Sequence, residues 1–437
     1  MTIPPGLHRS KNNQACRLNK SLYGLKQASR QWYSKLSEAL LTLGYIQGNA
    51  NHSMFTRKVG SSFTVLLVYV DDVVLSGNSP SEITRVKAFL HEKFKIKDLG
   101  PLRYFLGLEV SRTSRGIHLN QHKYALEILS DMGMLATKPS STPMEPSSRL
   151  SRTTGSPLID EFSYHRLVGR LLYLTTTRPD FCFAVQQLSQ FVSCPRDAHH
   201  QAALRILKYL KGAPASGLFF PSSPDIQVRA FADSDWACCP DTRRSTAGFC
   251  IFFGSSLVAW KTKKQSTVSR SSSKAEYRAL AILTCEIQWL QHLFHDLHIQ
   301  WLKPASVFCD NKSAIYLAHN LAFHKRSIHI EIDFHITREK LQSGLLRLLP
   351  VTSSDQLADM FTKSLPPAVF HTALFKLGLV NIHGPTCEGV MRTSQNPSPD
   401  NKGPRPSADT NSPTNSVSTS DDSCIMPTNH NRTNVVC

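Results

Sequence analysis

Two adjacent carboxylates, Asp71 and Asp72, are the first residues of this sequence with an evident chemical use. They lie between two apolar runs rich in β-branched residues, 63–70 and 73–75, of the kind that forms buried strands. The pattern predicts a tight hairpin turn, where a divalent cation would offset the cost of holding two carboxylates side by side. An exposed acidic turn without a metal fits these residues equally well.

A second group of carboxylates lies in the second half of the chain. Asp233 and Asp310 each end an apolar strand, whereas Glu276 and Asp359 lie near the starts of helices. Acids at such positions can converge on one edge of a sheet, where ligands usually bind. Together they could hold two divalent ions about 3.5–4 Å apart for phosphodiester cleavage, and oxygen ligands suit Mg²⁺ or Mn²⁺. Taken singly, each acid is more simply a helix cap or a surface charge.

The elements that would position this second group change along the chain from strands to alternating helices and strands. This order predicts a mixed α/β sheet. The predicted strands are 228–233, 247–253, 257–261, 306–309 and 345–351, and the predicted helices are 271–298, 312–318, 328–342, 355–362 and 368–377.

The elements around the first acidic pair follow from helical spacing, capping residues and a hairpin pattern. They are an amphipathic helix over 32–41, a helix from the Ser79-Pro80 cap to Phe94, a hairpin over 105–119 that turns near Gly116, and a helix over 121–132.

Basic and aromatic side chains are interleaved between residues 20 and 44, where Lys26 and Arg30 lie close to Tyr23 and Trp32. On a helix, this mixture suits a surface that follows a nucleic-acid backbone and stacks on its bases. An ordinary helix with a solvated basic face explains the same residues.

Composition favours a basic, intracellular protein. Lys and Arg number 50 against 32 Asp and Glu, and the net charge of +18 suits a polyanion such as nucleic acid, although a basic chain can be merely soluble. The eleven cysteines include no Cys-x-x-Cys pair, which argues for a reducing compartment and against a zinc module or a disulfide framework. No secretory signal or long apolar run is present, so neither secretion nor a membrane partner is expected.

Several stretches resemble one family. Tyr69-Val70-Asp71-Asp72 is similar to the metal-binding turn of reverse transcriptases, and the residues around it resemble copia-type retrotransposon polyproteins. The resemblance runs from about Ile3 to about Leu379. The other stretches that carry it are 20–32, 98–107, 164–169, 177–180, 233–236, 271–277 and 356–363.

The resemblance implies an α+β multidomain fold. It divides the chain into a partial reverse-transcriptase palm, a helical thumb-like or connection-like segment, and a ribonuclease H-like mixed α/β domain. A Ser-, Thr- and Pro-rich linker separates the first two, and the polar C-terminal tail is predicted to be disordered. The ranges are 1–136 for the palm, 137–157 for the linker, 158–213 for the helical segment, 214–380 for the ribonuclease H-like domain and 385–437 for the tail.

By position, the resemblance makes the four acids of the second group the metal ligands of a ribonuclease H site. A bound water would attack the RNA strand of an RNA–DNA hybrid, and Asp235 is the weaker ligand candidate beside Asp233. Lys263, Lys264 and Arg270 lie just before Glu276 and could grip the phosphate backbone.

The resemblance also implies that Asp71 and Asp72 bind metal in a polymerase site that takes an RNA template and a DNA primer. Gly24 would allow close approach of the template–nucleotide pair, and Lys26 would lie near it. A polymerase needs a third carboxylate, yet residues 1–70 contain Glu38 and no aspartate. We therefore expect a truncated start without the fingers and an incomplete polymerase site.

Besides a working reverse transcriptase, which the missing third carboxylate disfavours, two functions remain open from the sequence. The first is a truncated retrotransposon enzyme with ribonuclease H activity, expected in cytoplasmic virus-like particles, with the nucleus as a second compartment. The second is a non-catalytic, nucleic-acid-binding remnant of a decayed element, for which the basic surface alone would be enough.

Overall fold

The computed structural model describes residues 25–222, 225–301, 303–320, 331–382 and 434–436. The α-helices are α1 (Ala28–Thr42), α2 (Pro80–Phe94), α3 (His122–Asp131), α4 (Glu161–Leu174), α5 (Cys182–Ser189), α6 (Asp197–Gly212), α7 (Ser272–Asp296), α8 (Lys312–His319), α9 (Glu331–Gln342) and α10 (Pro367–Lys376). The strands are β1 (Ile46–Gln47), β2 (Met54–Val59), β3 (Ser62–Tyr69), β4 (Asp72–Gly77), β5 (Lys97–Asp98), β6 (Tyr104–Phe105), β7 (Leu108–Thr113), β8 (Gly116–Asn120), β9 (Ser216–Pro221), β10 (Val228–Ser234), β11 (Thr246–Phe253), β12 (Ser256–Lys264), β13 (Ala305–Cys309), β14 (Leu346–Pro350), β15 (Leu379–Asn381) and β16 (Asn434–Val436).

The first sheet carries the first acidic pair. Its order is β1-β2-β3-β4-β16-β5, and β1 to β4 are antiparallel neighbours. Leu66 on β3 and Val73 and Leu75 on β4 are fully buried in one core with residues of α1 and α2, because alternate side chains of a strand point to the same face. The predicted hairpin around Asp71 and Asp72 is confirmed.

The predicted helix that follows this hairpin is confirmed as α2. Ser79 is its N-cap, and its hydroxyl accepts a hydrogen bond from the Glu82 backbone N–H at 3.4 Å. Pro80 occupies the first helical turn, where a missing N–H costs no hydrogen bond.

The predicted linker over 137–157 contains no helix or strand, and it lies along α6. The Ser140 N–H donates to the Lys208 carbonyl at 3.1 Å, and Arg196 Nη1 donates to the Gly155 carbonyl at 2.6 Å. The segment therefore packs on the helical part of the chain.

The helical part consists of α4, α5 and α6 and contains a buried ion pair. Arg178 and Asp180 have side chains that are 2% and 1% exposed, and Arg178 Nη2 lies 2.8 Å from Asp180 Oδ2. The Tyr209 hydroxyl also donates to Asp180, at 2.7 Å, and Arg178 Nη1 donates to the Ala213 carbonyl at 2.8 Å. These bonds join the start of α5 to the end of α6.

A five-stranded sheet carries the second group of acids. Its order is β12-β11-β10-β13-β14, with β12, β11 and β10 antiparallel and with β13 and β14 parallel to β10. Apolar residues of α7, α8 and α9 pack on one face of the sheet. Residues of α5, α6 and the turn Leu357–Phe361 pack on the other face. This is the predicted mixed α/β sheet.

Three features differ from the sequence predictions. The helix predicted over 355–362 is instead two 3₁₀ turns, Ser353–Asp355 and Leu357–Phe361, because the Gln356 side chain accepts from the Ala358 N–H and interrupts an α-helix. Strand β9 pairs with β8 and β15 and lies outside the five-stranded sheet, although it falls inside the predicted 214–380 domain.

The third difference concerns the tail predicted to be disordered. Most of 385–437 lies outside the described residues, but Asn434–Val436 forms β16 between β4 and β5. The boundaries of the predicted domains stay predictions.

Candidate active site

Asp233 lies near the end of β10, the central strand of the five-stranded sheet, and it is 1% exposed. The strand ends beside the start of α7, and Gln265 bridges the two elements. Gln265 Nε2 donates to Ser234 Oγ at 3.1 Å and to the Ala275 carbonyl at 2.9 Å. The bridge therefore holds the first turns of α7 next to Asp233.

Glu276 projects from those first turns of α7 and is 7% exposed. The helix begins at Ser271, whose hydroxyl accepts from the Lys274 N–H at 3.3 Å. Within the part of the chain that the structure describes, Glu276 Oε2 is buried and has no hydrogen-bond partner. A buried carboxylate oxygen without a partner is costly, so this atom marks a place for a cation or a proton.

Asp310 follows β13, which runs parallel to β10 and therefore ends at the same edge of the sheet. Ser353 Oγ donates to Asp310 Oδ2 at 3.0 Å and fixes this carboxylate. Glu276, Cys309 and Asp310 each offer one potential ligand atom within 4.8 Å of the others. Cys309 is fully buried, and burial raises the pKa of its thiol, so the neutral sulfur is a poor ligand for Mg²⁺.

Asp359 comes from the 3₁₀ turn Leu357–Phe361 and completes the cluster. One cation, Lys363, lies between this acid and the sheet, with Nζ 2.8 Å from Asp359 Oδ1 and 3.3 Å from Asp233 Oδ2. The Thr362 hydroxyl also donates to Asp233 Oδ2. The structure thus brings together all four acids that the sequence analysis selected.

The electrostatics of the cluster are those of crowded, buried carboxylates. Burial raises the pKa of Glu276 well above its usual value, and the negative charges of Asp233 and Asp310 raise it further. Burial and the charge of Asp233 also raise the pKa of Asp359, while Lys363 opposes this shift. Such groups lose their negative charge unless cations compensate them.

The donor set fits divalent metal ions. Four carboxylates supply oxygen ligands only, and Glu276 Oε2 is already buried without a partner among the described residues. Asp235 has a different role, because its Oδ1 accepts from the N–H groups of Thr246, at 3.0 Å, and Cys238, at 3.5 Å. These bonds hold the loop after β10.

Asp71 and Asp72 lie on a different sheet, at the turn between β3 and β4. Val70 has φ 49° there, a conformation that is unusual for a β-branched residue, and its carbonyl accepts from Trp32 Nε1 at 2.8 Å. Asp71 is exposed and Asp72 is half-buried. Among residues with described positions, no third metal-ligating side chain groups with them.

The predicted nucleic-acid-binding residues are in different settings. Gly24 lies outside the described residues, Lys26 is exposed just before α1, and Arg30 is exposed on α1. Lys263 and Arg270 are exposed near the start of α7. Lys264 is engaged inside the protein: its Nζ lies 2.8 Å from both Gln190 Oε1 and Cys239 Sγ. Lys264 therefore contacts the helical part of the chain.

A cavity of about 410 Å³ adjoins the cluster, between the loop after β10, the segment 144–150 and α5. Lys363 and Asp235 line it together with Trp236, Arg149 and Arg243. The Trp236 ring is 54% exposed, but Nε1 donates to the Ser269 carbonyl at 3.0 Å, so its orientation is fixed. Within the described residues, no ion pair is formed by Arg149 or Arg243.

No role was predicted for Ser353, Thr362, Lys363 or Trp236 from the sequence. Thr362 and Lys363 lie in the same short motif as Asp359, and Trp236 directly follows Asp235, just after β10. Polar and aromatic residues that adjoin candidate ligands were therefore the available signal. Ser353 carried no such signal, because only the fold brings it to Asp310.

The chain is similar in sequence to known proteins over most of its length. Residues 1–146 match the family described as reverse transcriptase (RNA-dependent DNA polymerase). The retrovirus-related Pol polyprotein from transposon RE1 of Arabidopsis thaliana is 42% identical over 383 residues, which are 87% of this chain and 26% of that protein. The putative transposon Ty5-1 protein of Saccharomyces cerevisiae is 31% identical over 288 residues, which are 65% of this chain and 94% of that protein.

Among solved structures, LC11-RNase H1 in complex with an RNA/DNA hybrid aligns with 34% of this chain and 99% of its own, at 13% identity. The TM-score of this alignment is 0.25. In the described residues, no helix has the length and apolar character needed to cross a bilayer.

A reverse-transcriptase segment that carries an acidic hairpin, joined to a mixed α/β sheet, defines the class of protein: part of a retroelement Pol polyprotein. The chain belongs to the family of copia-type retrotransposon Pol polyproteins. It spans about a quarter of the length of the Pol polyproteins that it matches, 26% in the case of RE1.

Proposed function

We propose that this chain cleaves the RNA strand of RNA–DNA hybrids with two divalent metal ions, Mg²⁺ or Mn²⁺. The observation that carries the proposal is the convergence of four carboxylates from separate elements, one of which has a buried oxygen without a partner among the described residues. Isolated caps and surface acids would not meet in this way. The ligands would be Asp233, Glu276, Asp310 and Asp359.

The residues around the cluster set the orientation of the ligands. Ser353 donates to Asp310 and Thr362 donates to Asp233, so each carboxylate is held in a defined orientation. The near-complete burial of Asp233 and Glu276 excludes water and strengthens the attraction for a cation. When bound, the ions would activate a water molecule and stabilise the negative charge that develops on the phosphate.

The cavity beside the cluster supports a path for the nucleic acid. Arg149 and Arg243 offer positive charge for phosphates, and the fixed ring of Trp236 offers a surface for a base or a sugar. Lys263 and Arg270 are exposed near the same end of the sheet. Contact with the 2′-hydroxyl would allow the site to distinguish RNA from DNA.

The test is cleavage of a hybrid with labelled RNA in the presence of Mg²⁺. We expect the chain to cut the RNA, and Asp233→Asn and Asp310→Asn to abolish cutting while hybrid binding persists. Asp131→Asn is the matched control, because Asp131 is exposed and pairs with Arg170 on a different surface. Wild-type protein that binds the hybrid without cutting it would contradict the proposal and favour the non-catalytic binding role.

We infer that the hairpin of Asp71 and Asp72 does not by itself support DNA synthesis on an RNA template. The support is that no third metal-ligating side chain groups with this pair in the described part of the chain. Primer extension on an RNA template with a DNA primer tests this inference. Extension that depends on Asp71 would overturn it and would place a functional polymerase site in this chain.

A further inference from the structure

The ammonium group of Lys363 lies between two of the carboxylates that would bind metal. Its Nζ is 2.8 Å from Asp359 Oδ1 and 3.3 Å from Asp233 Oδ2. Asp359 and Lys363 are four residues apart, and the 3₁₀ turn that ends at Phe361 brings Lys363 back toward the sheet. One side chain therefore neutralises the acid of the turn and the acid of the central strand together.

The same oxygens cannot serve the ammonium and a divalent ion at once. A metal ligated by Asp233 or Asp359 would lie about 2 Å from those oxygens, which places two positive charges in nearly the same volume. Lys363 is the more movable of the two partners, because its side chain is 41% exposed whereas those of Asp233 and Asp359 are 1% and 18% exposed. It also lines the cavity of about 410 Å³, which gives the released ammonium a place to go.

We propose that Lys363 is an internal counter-ion that occupies the cation position of the metal-free site and is displaced when metal binds. The inference rests on the proposed metal site. The counter-ion role has two consequences. Lys363 weakens the affinity of the site for the metal. Lys363 also stabilises the metal-free fold, because it compensates carboxylates that would otherwise repel one another.

The variant Lys363→Met keeps most of the side-chain volume and removes the charge, and Lys363→Arg keeps the charge. Lys376→Met is the matched control, because Lys376 is 38% exposed and forms a single ion pair with Asp355, 2.7 Å away and outside the cluster. Affinity is measured by titration with Mn²⁺, followed by the paramagnetic resonance signal of the free ion, and with Mg²⁺ by calorimetry. Melting temperatures are measured in EDTA and in excess Mg²⁺.

We expect Lys363→Met to bind Mn²⁺ about tenfold more tightly than the wild type, since two partly exposed ion pairs no longer have to be broken. Its melting temperature should be lower than that of the wild type in EDTA, and its increase with Mg²⁺ should be larger. Lys363→Arg and Lys376→Met should both bind Mn²⁺ like the wild type.

Equal Mn²⁺ affinity of Lys363→Met and the wild type, with hybrid cleavage intact, would overturn the counter-ion role and leave the nuclease proposal standing. Weaker binding by Lys363→Met would also overturn it, because Lys363 would then support the metal site. Failure of every variant and of the wild type to bind Mn²⁺ would overturn the metal site and the counter-ion together.

Discussion

Gly248 lies directly opposite Asp233 in the register of β10 and β11, and a Cβ at this glycine would stand 2.6 Å from Phe361 Cβ. That distance is shorter than any real contact between such atoms. The missing side chain allows the 3₁₀ turn Leu357–Phe361 to lie against the sheet. Asp359, which belongs to that turn, reaches Asp233 through Lys363 for this reason.

The variant Gly248→Ala should displace this turn and separate Asp359 from the other three acids. We expect a loss of about 1–3 kcal/mol in the free energy of unfolding, typical of overpacking, together with weaker Mn²⁺ binding and slower hybrid cleavage. Urea denaturation and Mn²⁺ titration measure these effects. Gly169→Ala is the control, because a Cβ at this site on α4 meets no atom within 4 Å. Unchanged Mn²⁺ affinity in Gly248→Ala would show that the turn does not depend on the glycine.

The buried ion pair of Arg178 and Asp180 should matter far more to stability than an exposed one. Asp180→Asn leaves the Arg178 charge buried without its partner, so we expect a loss of about 3–5 kcal/mol in the free energy of unfolding. The partly exposed pair of Asp131 and Arg170 is the comparison, and Asp131→Asn should cost about 0–1 kcal/mol. Urea unfolding of both variants gives the two values, and similar losses would contradict the difference assigned to burial.

The elements set by local patterns were predictable from the sequence. The β-branched runs on either side of Asp71 and Asp72 form β3 and β4, and the Ser79-Pro80 cap begins α2, because these signals depend on neighbouring residues alone. The four acids of the cluster were selected from their places at the ends of predicted elements together with the family resemblance, and the structure brings them together.

What the sequence did not reveal depends on contacts between distant residues. Strand β9 pairs with β8, about 100 residues earlier, and nothing in the local pattern of either strand indicates this partner. The helix predicted over 355–362 is replaced by 3₁₀ turns, because Gln356 bonds to Ala358 and, across the fold, to the Ala232 carbonyl at 2.9 Å. Gly248 was a visible signal of the turn Leu357–Phe361 that packs against β11, since a glycine inside a strand often marks close approach of another segment.

The buried His199 should make the free energy of unfolding depend on pH in mildly acidic solution. Burial lowers its pKa from the usual 6.5, so the neutral ring is favoured in the folded state. That ring stacks on Phe191, with centroids 3.9 Å apart, and one of its nitrogens lies 3.0 Å from the Ser151 carbonyl. Between the lowered pKa and 6.5 the unfolded chain binds more protons than the folded chain, so stability falls as pH decreases below 6.5.

The free energy of unfolding, measured in urea between pH 7.5 and pH 5, should therefore fall less steeply in His199→Gln than in the wild type. His371→Gln is the control, because that histidine is exposed on α10 and lies away from His199 in the sequence. Equal slopes for the wild type and His199→Gln would mean that this ring does not control the acid sensitivity.

Trp236 should contribute to hybrid affinity without contributing to metal binding. The hydrogen bond to the Ser269 carbonyl fixes its exposed ring beside the acid cluster, so little conformational entropy is lost when a base or sugar packs on it. We expect Trp236→Ala to weaken hybrid binding by about 1–3 kcal/mol, the range found for loss of one stacked base. Fluorescence anisotropy in an Asp233→Asn background, where the hybrid is not cut, measures this effect. Tyr316→Ala removes a similarly exposed ring from α8 and should leave the affinity unchanged, whereas equal losses in the two variants would argue against a defined subsite at Trp236.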